Sequence, residues 1–183
     1  SSAVSATGLD DATITQNDCH DNDASGIELT NFDTDLVQKI RRVIVSQNRC
    51  YRNAFSGIDV GNYLQDNDAS GSNSGPDNPD SFAVSVIDNV TYGNCTGATT
   101  SNIPYALALA GTRIYSRGNR VYENANGYLS NATDSLHVDN DVYDNDSDVS
   151  GNGWGVDLGG STRSTWRGGR VSGNGIAANI GGT

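Results

Sequence analysis

The chain has 183 residues, is 35% hydrophobic and carries a formal net charge of −11. That length suits one domain with a real core, and no run of about 20 apolar residues is present to span a membrane. So acidic a balance argues against a nucleic-acid partner, since phosphate binding needs clustered Lys and Arg.

The charge is made from few residue types: 20 Asp against 2 Glu, and 10 Arg against one Lys, Lys39. Aspartate suits tight turns, because its short carboxylate bonds nearby backbone. The same composition also fits adaptation to high salt. There is no Met and no leader-like segment, so the chain is expected to be a processed product or a piece of something larger.

In chain order, residues 1–11 form a polar lead-in. Residues 12–15 (ATIT) are the first of six short β-rich runs; the others are 43–46, 84–87, 113–116, 136–138 and 164–167. Behind each run stands a pair of positions five apart: Asn17/Asn22, Asn48/Asn53, Asn89/Asn94, Asn119/Asn124, Asn140/Asn145 and, with Gly first, Gly169/Asn174. A polar turn then leads to Gly-Ile-x-Leu or a relative, at 27–29, 58–60, 106–109, 128–129, 156–158 and 176–180. Alternation inside these runs has period two, which predicts strands. Only residues 35–45 read as an amphipathic helix.

Successive first-Asn positions are 31, 41, 30, 21 and 29 residues apart. A fixed motif with a minimum step and variable surplus signals a solenoid with loop insertions. Each unit is too small to bury its apolar face alone, and stacking with strands about 4.8 Å apart solves that. The Asn columns then form ladders, each side-chain amide bonding the Asn of the next turn at a tight corner. Cys19 and Cys50 share a column with Thr91, Val121, Val142 and Val171. That column is expected to be a buried stack of small side chains, with a Cys19–Cys50 disulfide as the alternative in an oxidising compartment.

The diffuse repeat N-x-[V/I/C]-x-x-N followed by G-I-x-L resembles the right-handed parallel β-helix proteins of the pectin-lyase-like superfamily, over nearly all of residues 12–180. The resemblance implies an all-β, right-handed parallel β-helix of about six turns, one module of a larger protein. It also implies polysaccharide or a cell-surface glycan as partner, an extracellular or virion-surface location of the tailspike or fibre kind, and a homotrimer or larger assembly. An enzyme acting on polysaccharide, with hydrolysis favoured over lyase chemistry, and a structural spacer or adhesin remain open beside it. The rival solenoid, the calcium-binding nonapeptide roll, requires tandem GGxGxD, which the isolated pairs Gly159-Gly160 and Gly168-Gly169 lack.

Chemistry concentrates in one outward column. If Ile27 and Leu29 point inward, Glu28 points outward, and the same logic places Asp59 and Asp157 in its column. Glu28 and Asp59 on adjacent turns would lie about 5 Å apart, so one carboxyl is raised in pKa or a cation bridges them. Such a pair can divide into general acid and nucleophile or base; the plainer reading is two solvated surface acids. From Ile27 to the next first Asn is 21 residues and from Ile58 it is 31, against 12 or 13 later. The two surplus loops, 30–42 and 61–81, therefore leave one edge of one sheet and wall that column.

Lys39, Arg41 and Arg42 in the first loop are candidates for an acidic sugar. In the second, Asp66, Asp68, Ser70 and Asp77 surround a Gly turn with oxygen ligands in the manner of a calcium loop, or form a plain Asx-turn loop. Tyr51 belongs to a column of rings, His20, Tyr51, Tyr92, Tyr122 and Tyr143, which stack on one another or offer a platform for sugar. His137 is expected to face outward without a partner. Of the glycosylation sequons, only Asn131 lies outside the ladder positions as a plausible acceptor.

Overall fold

In the computed structural model, residues 1–6, 8–29, 40–61, 81–97, 104–146 and 153–179 are described. Every regular element among them is a strand. After β1 (Val4–Ala6) a cycle begins with β2 (Thr13–Thr15), β3 (Asp18–His20) and β4 (Ile27–Leu29). The second cycle is β5 (Ile40–Arg41), β6 (Ile44–Ser46), β7 (Arg49–Tyr51) and β8 (Ile58–Val60). The third is β9 (Ser81–Phe82), β10 (Ser85–Ile87), β11 (Val90–Tyr92) and β12 (Leu107–Thr112). Then come β13 (Tyr115–Arg117), β14 (Arg120–Tyr122) and β15 (Tyr128–Thr133), followed by β16 (Leu136–Val138), β17 (Asp141–Tyr143) and β18 (Trp154–Asp157). The last cycle is β19 (Thr165–Arg167), β20 (Arg170–Ser172) and β21 (Ile176–Asn179).

Corresponding strands pair in parallel and build three sheets. The first runs β1-β4-β8-β12-β15-β18-β21, with β5 and β9 attached; the second β2-β6-β10-β13-β16-β19; the third β3-β7-β11-β14-β17-β20. This is an all-β chain consistent with a β-helix solenoid. The helix expected over 35–45 does not form where the chain is described: Ile40–Arg41 and Ile44–Ser46 are strands.

The corners explain the repeat. Asp11, Gln16 and Asp21 have φ of 53°, 58° and 55°, five residues apart. The same three positions are left-handed in every later cycle: Arg42, Gln47, Arg52; Ala83, Asp88, Gly93; Arg113, Gly118, Glu123; Asp134, Asp139, Asp144; Arg163, Gly168, Gly173. A left-handed residue bends the chain, and the four between corners alternate inward and outward. The run expected at 113–116 is therefore shifted, with Arg113 as corner and Tyr115–Arg117 as strand. At Gly118 glycine is required twice over: φ is +65°, and a Cβ would come within 2.2 Å of Asp88 Oδ1 on the preceding turn.

The residue after each second and third corner is the Asn of a ladder, except that Gly169 follows the second corner of the last cycle. In the first ladder Asn17 Nδ2 donates to Asn48 Oδ1 at 2.8 Å, and Asn48, Asn89 and Asn119 each donate onward at 3.0, 2.9 and 2.9 Å. The second ladder continues from Asn22 through Asn53, Asn94, Asn124 and Asn145 to Asn174, with steps of 2.7–3.0 Å. Each acceptor oxygen also takes the backbone N–H of the preceding Asn, as Asn94 Oδ1 does from Asn53 at 3.1 Å.

Inside, Ile27, Leu29, Val45, Ile58, Val60, Val86, Leu107 and Leu109 fill the core. Cys19 and Cys50 lie there in register with free thiols, and Cys95 is also free. The Cys19–Cys50 hydrogen bond, together with burial, pushes the Cys50 thiol up. His137 points inward and is fully buried, against expectation. It continues the inward column Val45, Val86, Ser116, and its Nδ1 lies 2.8 Å from Tyr128 Oη.

Candidate functional site

β4 and β8 are neighbours in the first sheet, and Glu28 stands opposite Asp59. Each sits between two core residues, Ile27 and Leu29 or Ile58 and Val60, so both carboxyls face outward. Their surroundings differ. Glu28 is half-buried and its Oε2 accepts the Ser2 hydroxyl. Asp59 is 1% exposed although it faces outward, and its Oδ1 is buried without a hydrogen-bond partner among the described residues. Burial, helped by the charge of Glu28, raises the Asp59 carboxyl to about 7. Near neutral pH a large share of Asp59 is therefore a carboxylic acid, which donates as well as accepts.

The outward column continues through Ala108 and Leu129 to Asp157. Three strand steps, roughly 14 Å, separate Asp157 from Asp59. Asp157 is already engaged: Oδ2 accepts from Tyr105 Oη at 3.1 Å, and Oδ1 from Gly159 N at 2.9 Å and Asn179 Nδ2 at 3.0 Å. Ala108 and Leu129 are buried beneath Tyr105 and Trp154, a small second apolar cluster outside the sheet. Sequence reasoning missed Tyr105 and Trp154; the signal was two apolar residues in a column otherwise taken as solvated.

Arg41 and Arg42 lie away from this pair, and both have acidic partners. Arg41 reaches Asp10 at 3.2 Å, and Arg42 bonds Asp11 at 2.6 Å and also Asp10. Lys39 and the quartet Asp66, Asp68, Ser70 and Asp77 lie outside the described residues. Among the described residues, no three His, Cys, Asp or Glu side chains converge as a metal site, and no helix is long and apolar enough to cross a membrane.

Tyr51 lies on the third sheet, in a continuous stack from His20 through Tyr92 and Tyr122 to Tyr143. Ring centroids are 4.8–5.2 Å apart, and the four tyrosine planes lie within 5° of parallel from one ring to the next. Arg49 and Arg52 each lie within 5 Å of the Tyr51 ring centroid, at 4.8 and 4.7 Å. The faces a sugar ring would stack on are thus occupied by neighbouring rings. Tyr51→Ala is expected to lower stability by about 2 kcal/mol, from lost area and two ring contacts, and to leave glycan binding unchanged. Urea unfolding with a parallel binding assay checks this, and a loss of binding at unchanged stability would return Tyr51 to the site.

No family model matches this chain, and neither a curated protein nor a solved structure matches it.

Proposed function

We propose that the chain is a surface module of the right-handed, pectin-lyase-like β-helix kind, which recognises polysaccharide outside the cell or on a virion. The site is the outward face of the first sheet at Glu28 and Asp59. The observation that carries this reading is the buried, unpartnered Oδ1 of Asp59 beside the more accessible Glu28. An unsatisfied buried polar atom costs about 1–3 kcal/mol, which a ligand supplying the missing bond recovers. A protonated Asp59 beside the Glu28 carboxyl offers a donor and several acceptors, and a sugar hydroxyl both accepts and donates. Asp59 is closed off from solvent, and Glu28 is the more accessible of the two.

A panel of neutral and acidic polysaccharides, tested for binding with and without calcium, checks the proposal. The Glu28→Gln/Asp59→Asn double variant is expected to bind at least ten-fold more weakly, about 1.4 kcal/mol, while keeping its fold. Equal binding by the double variant removes the site.

The same pair supports one other reading. Two adjacent carboxyls, one of them raised in pKa, can divide into acid and base for glycoside hydrolysis. Shortening of a polymer by the native protein, absent in the double variant, would establish that reading instead. Lyase chemistry draws less support, because the outward column of Ser5, Glu28, Asp59, Ala108, Leu129, Asp157 and Asn179 contains no Arg or Lys.

A further inference from the structure

Nine of the arginines fall on alternate cycles: Arg42, Arg49 and Arg52, then Arg113, Arg117 and Arg120, then Arg163, Arg167 and Arg170. Acids of neighbouring cycles commonly face them. Asp11 meets Arg42 at 2.6 Å, Asp18 meets Arg49 at 3.1 Å, Asp21 meets Arg52, and Asp134 meets Arg163 at 2.6 Å. One column departs from this pattern. On the second sheet the outward register reads Ile87, Arg117, Val138, Arg167, with valine on the intervening turn. Arg117 and Arg167 are exposed, and neither has an ion pair or a side-chain hydrogen bond among the described residues.

The rest of that face is apolar or neutral. Leu136 is 40% exposed and Ile44 42%, in one column with Ser85 and Tyr115 between them. None of the outward positions of the six strands is acidic, in a chain with 20 Asp. The nearest corner acids, Asp88 and Asp139, turn along the axis over the glycines of the next turn, close to where a Cβ on Gly118 or Gly168 would sit.

Such a face can attract an anion and also has apolar surface to hold one. Its shape narrows the choice. Three residues wide and six strands long, it measures roughly 10 Å by 24 Å. That is far below the roughly 800 Å² per partner of a stable protein interface, but it suits a linear polymer lying along the axis. An extended peptide would find only scattered hydroxyl and guanidinium groups here, not the regular row of partners that its N–H and C=O groups need. A sugar chain has C–H faces for Leu136, Val138 and Tyr115, and keeps its hydroxyls toward water.

The geometry points to this face as a second binding site, for a linear anionic polysaccharide whose sulfate or carboxylate groups meet Arg117 and Arg167. These arginines are two strand steps apart, about 10 Å. Each guanidinium fork can hold an anionic group through two parallel hydrogen bonds. The inference rests on the polysaccharide reading above but uses different residues on a different sheet.

The test is binding of dextran sulfate, polygalacturonate and neutral dextran to the full chain at low and high salt. Arg117→Gln/Arg167→Gln is compared with Arg49→Gln/Arg170→Gln, which removes two charges from the third sheet. The first pair is expected to weaken binding of at least one anionic polymer ten-fold or more and to flatten its salt dependence, and the second less than two-fold. Neutral dextran is expected not to respond to either pair. Equal losses in both pairs would reduce the effect to overall charge and overturn the site. Loss only in Glu28→Gln/Asp59→Asn would also overturn it while leaving the proposed function standing. Loss only in Arg117→Gln/Arg167→Gln would uphold it and move polysaccharide recognition to the second sheet. Binding of no polymer would overturn both.

Discussion

Replacing Asn94 with Ala is expected to cost about 3–6 kcal/mol. Asn94 is 1% exposed and sits mid-ladder. Its Oδ1 accepts the backbone N–H and the side-chain amide of Asn53 at 3.1 and 2.8 Å. Its Nδ2 donates to Cys50 O at 2.9 Å and to Asn124 Oδ1 at 3.0 Å. Alanine leaves Asn53 N–H and one N–H of the Asn53 amide without partners and takes away the side-chain donor to the Cys50 carbonyl, and each orphaned buried group costs about 1–3 kcal/mol. The sum is a large share of a typical 5–15 kcal/mol stability. Asn131→Ala, at a half-exposed position outside both ladders, is expected to stay within about 0.5 kcal/mol. Urea midpoints decide between these expectations. Equal shifts in the two variants would mean that the ladder satisfies its own corners without adding cooperativity between turns.

The ladder was legible because it is written in residue type: Asn recurs five positions apart where a corner needs a left-handed neighbour and a buried amide. The Glu28/Asp59 pairing was legible because Gly-Ile-x-Leu fixes which residue lies between two core positions. His137 was misread for want of the right frame. In the short run Leu136, His137, Val138, alternation alone allows either phase, and the two aliphatic residues favoured the wrong one. Counting from the ladder resolves it: Val45, Val86, Ser116 and His137 each stand three positions before a first-ladder Asn. The burial of Asp59 could not be read, because alternation gives direction and not what covers a face. The unpaired state of Arg117 and Arg167 needed the register between cycles, since Val138 is the missing partner only once the three are aligned.

Two buried groups should give the native protein a flatter pH profile than either group alone would produce. His137 is enclosed by Tyr128 and Trp166, its Nε2 has no partner among the described residues, and burial lowers it to about 4 from 6.5. Between these values the unfolded chain binds a proton that the folded chain refuses, so stability falls as pH drops, by about 3 kcal/mol across the window. Asp59 acts oppositely. Its carboxyl is raised from 3.8 to about 7, so the folded chain keeps a proton the unfolded chain has lost, and stability falls as pH rises, by up to about 4 kcal/mol. The exposed Asp11, Asp21 and Asp134 are lowered by their arginines. Their contribution is lost only as pH falls through the acid range below the unfolded carboxylate value, outside this window. Asp59→Asn should therefore unmask the His137 slope and lose stability steadily from pH 6.5 to 4.5. His137→Gln keeps a hydrogen-bonding group toward Tyr128 and should unmask the Asp59 slope, gaining stability over the same range. Urea midpoints at pH 4.5, 5.5 and 6.5 for the native chain and both variants provide the measurement. Parallel profiles in all three would show that neither group titrates differently on folding. They would also remove the raised Asp59 carboxyl from the candidate site, because a carboxyl that titrates normally there is solvated and offers no proton near neutral pH.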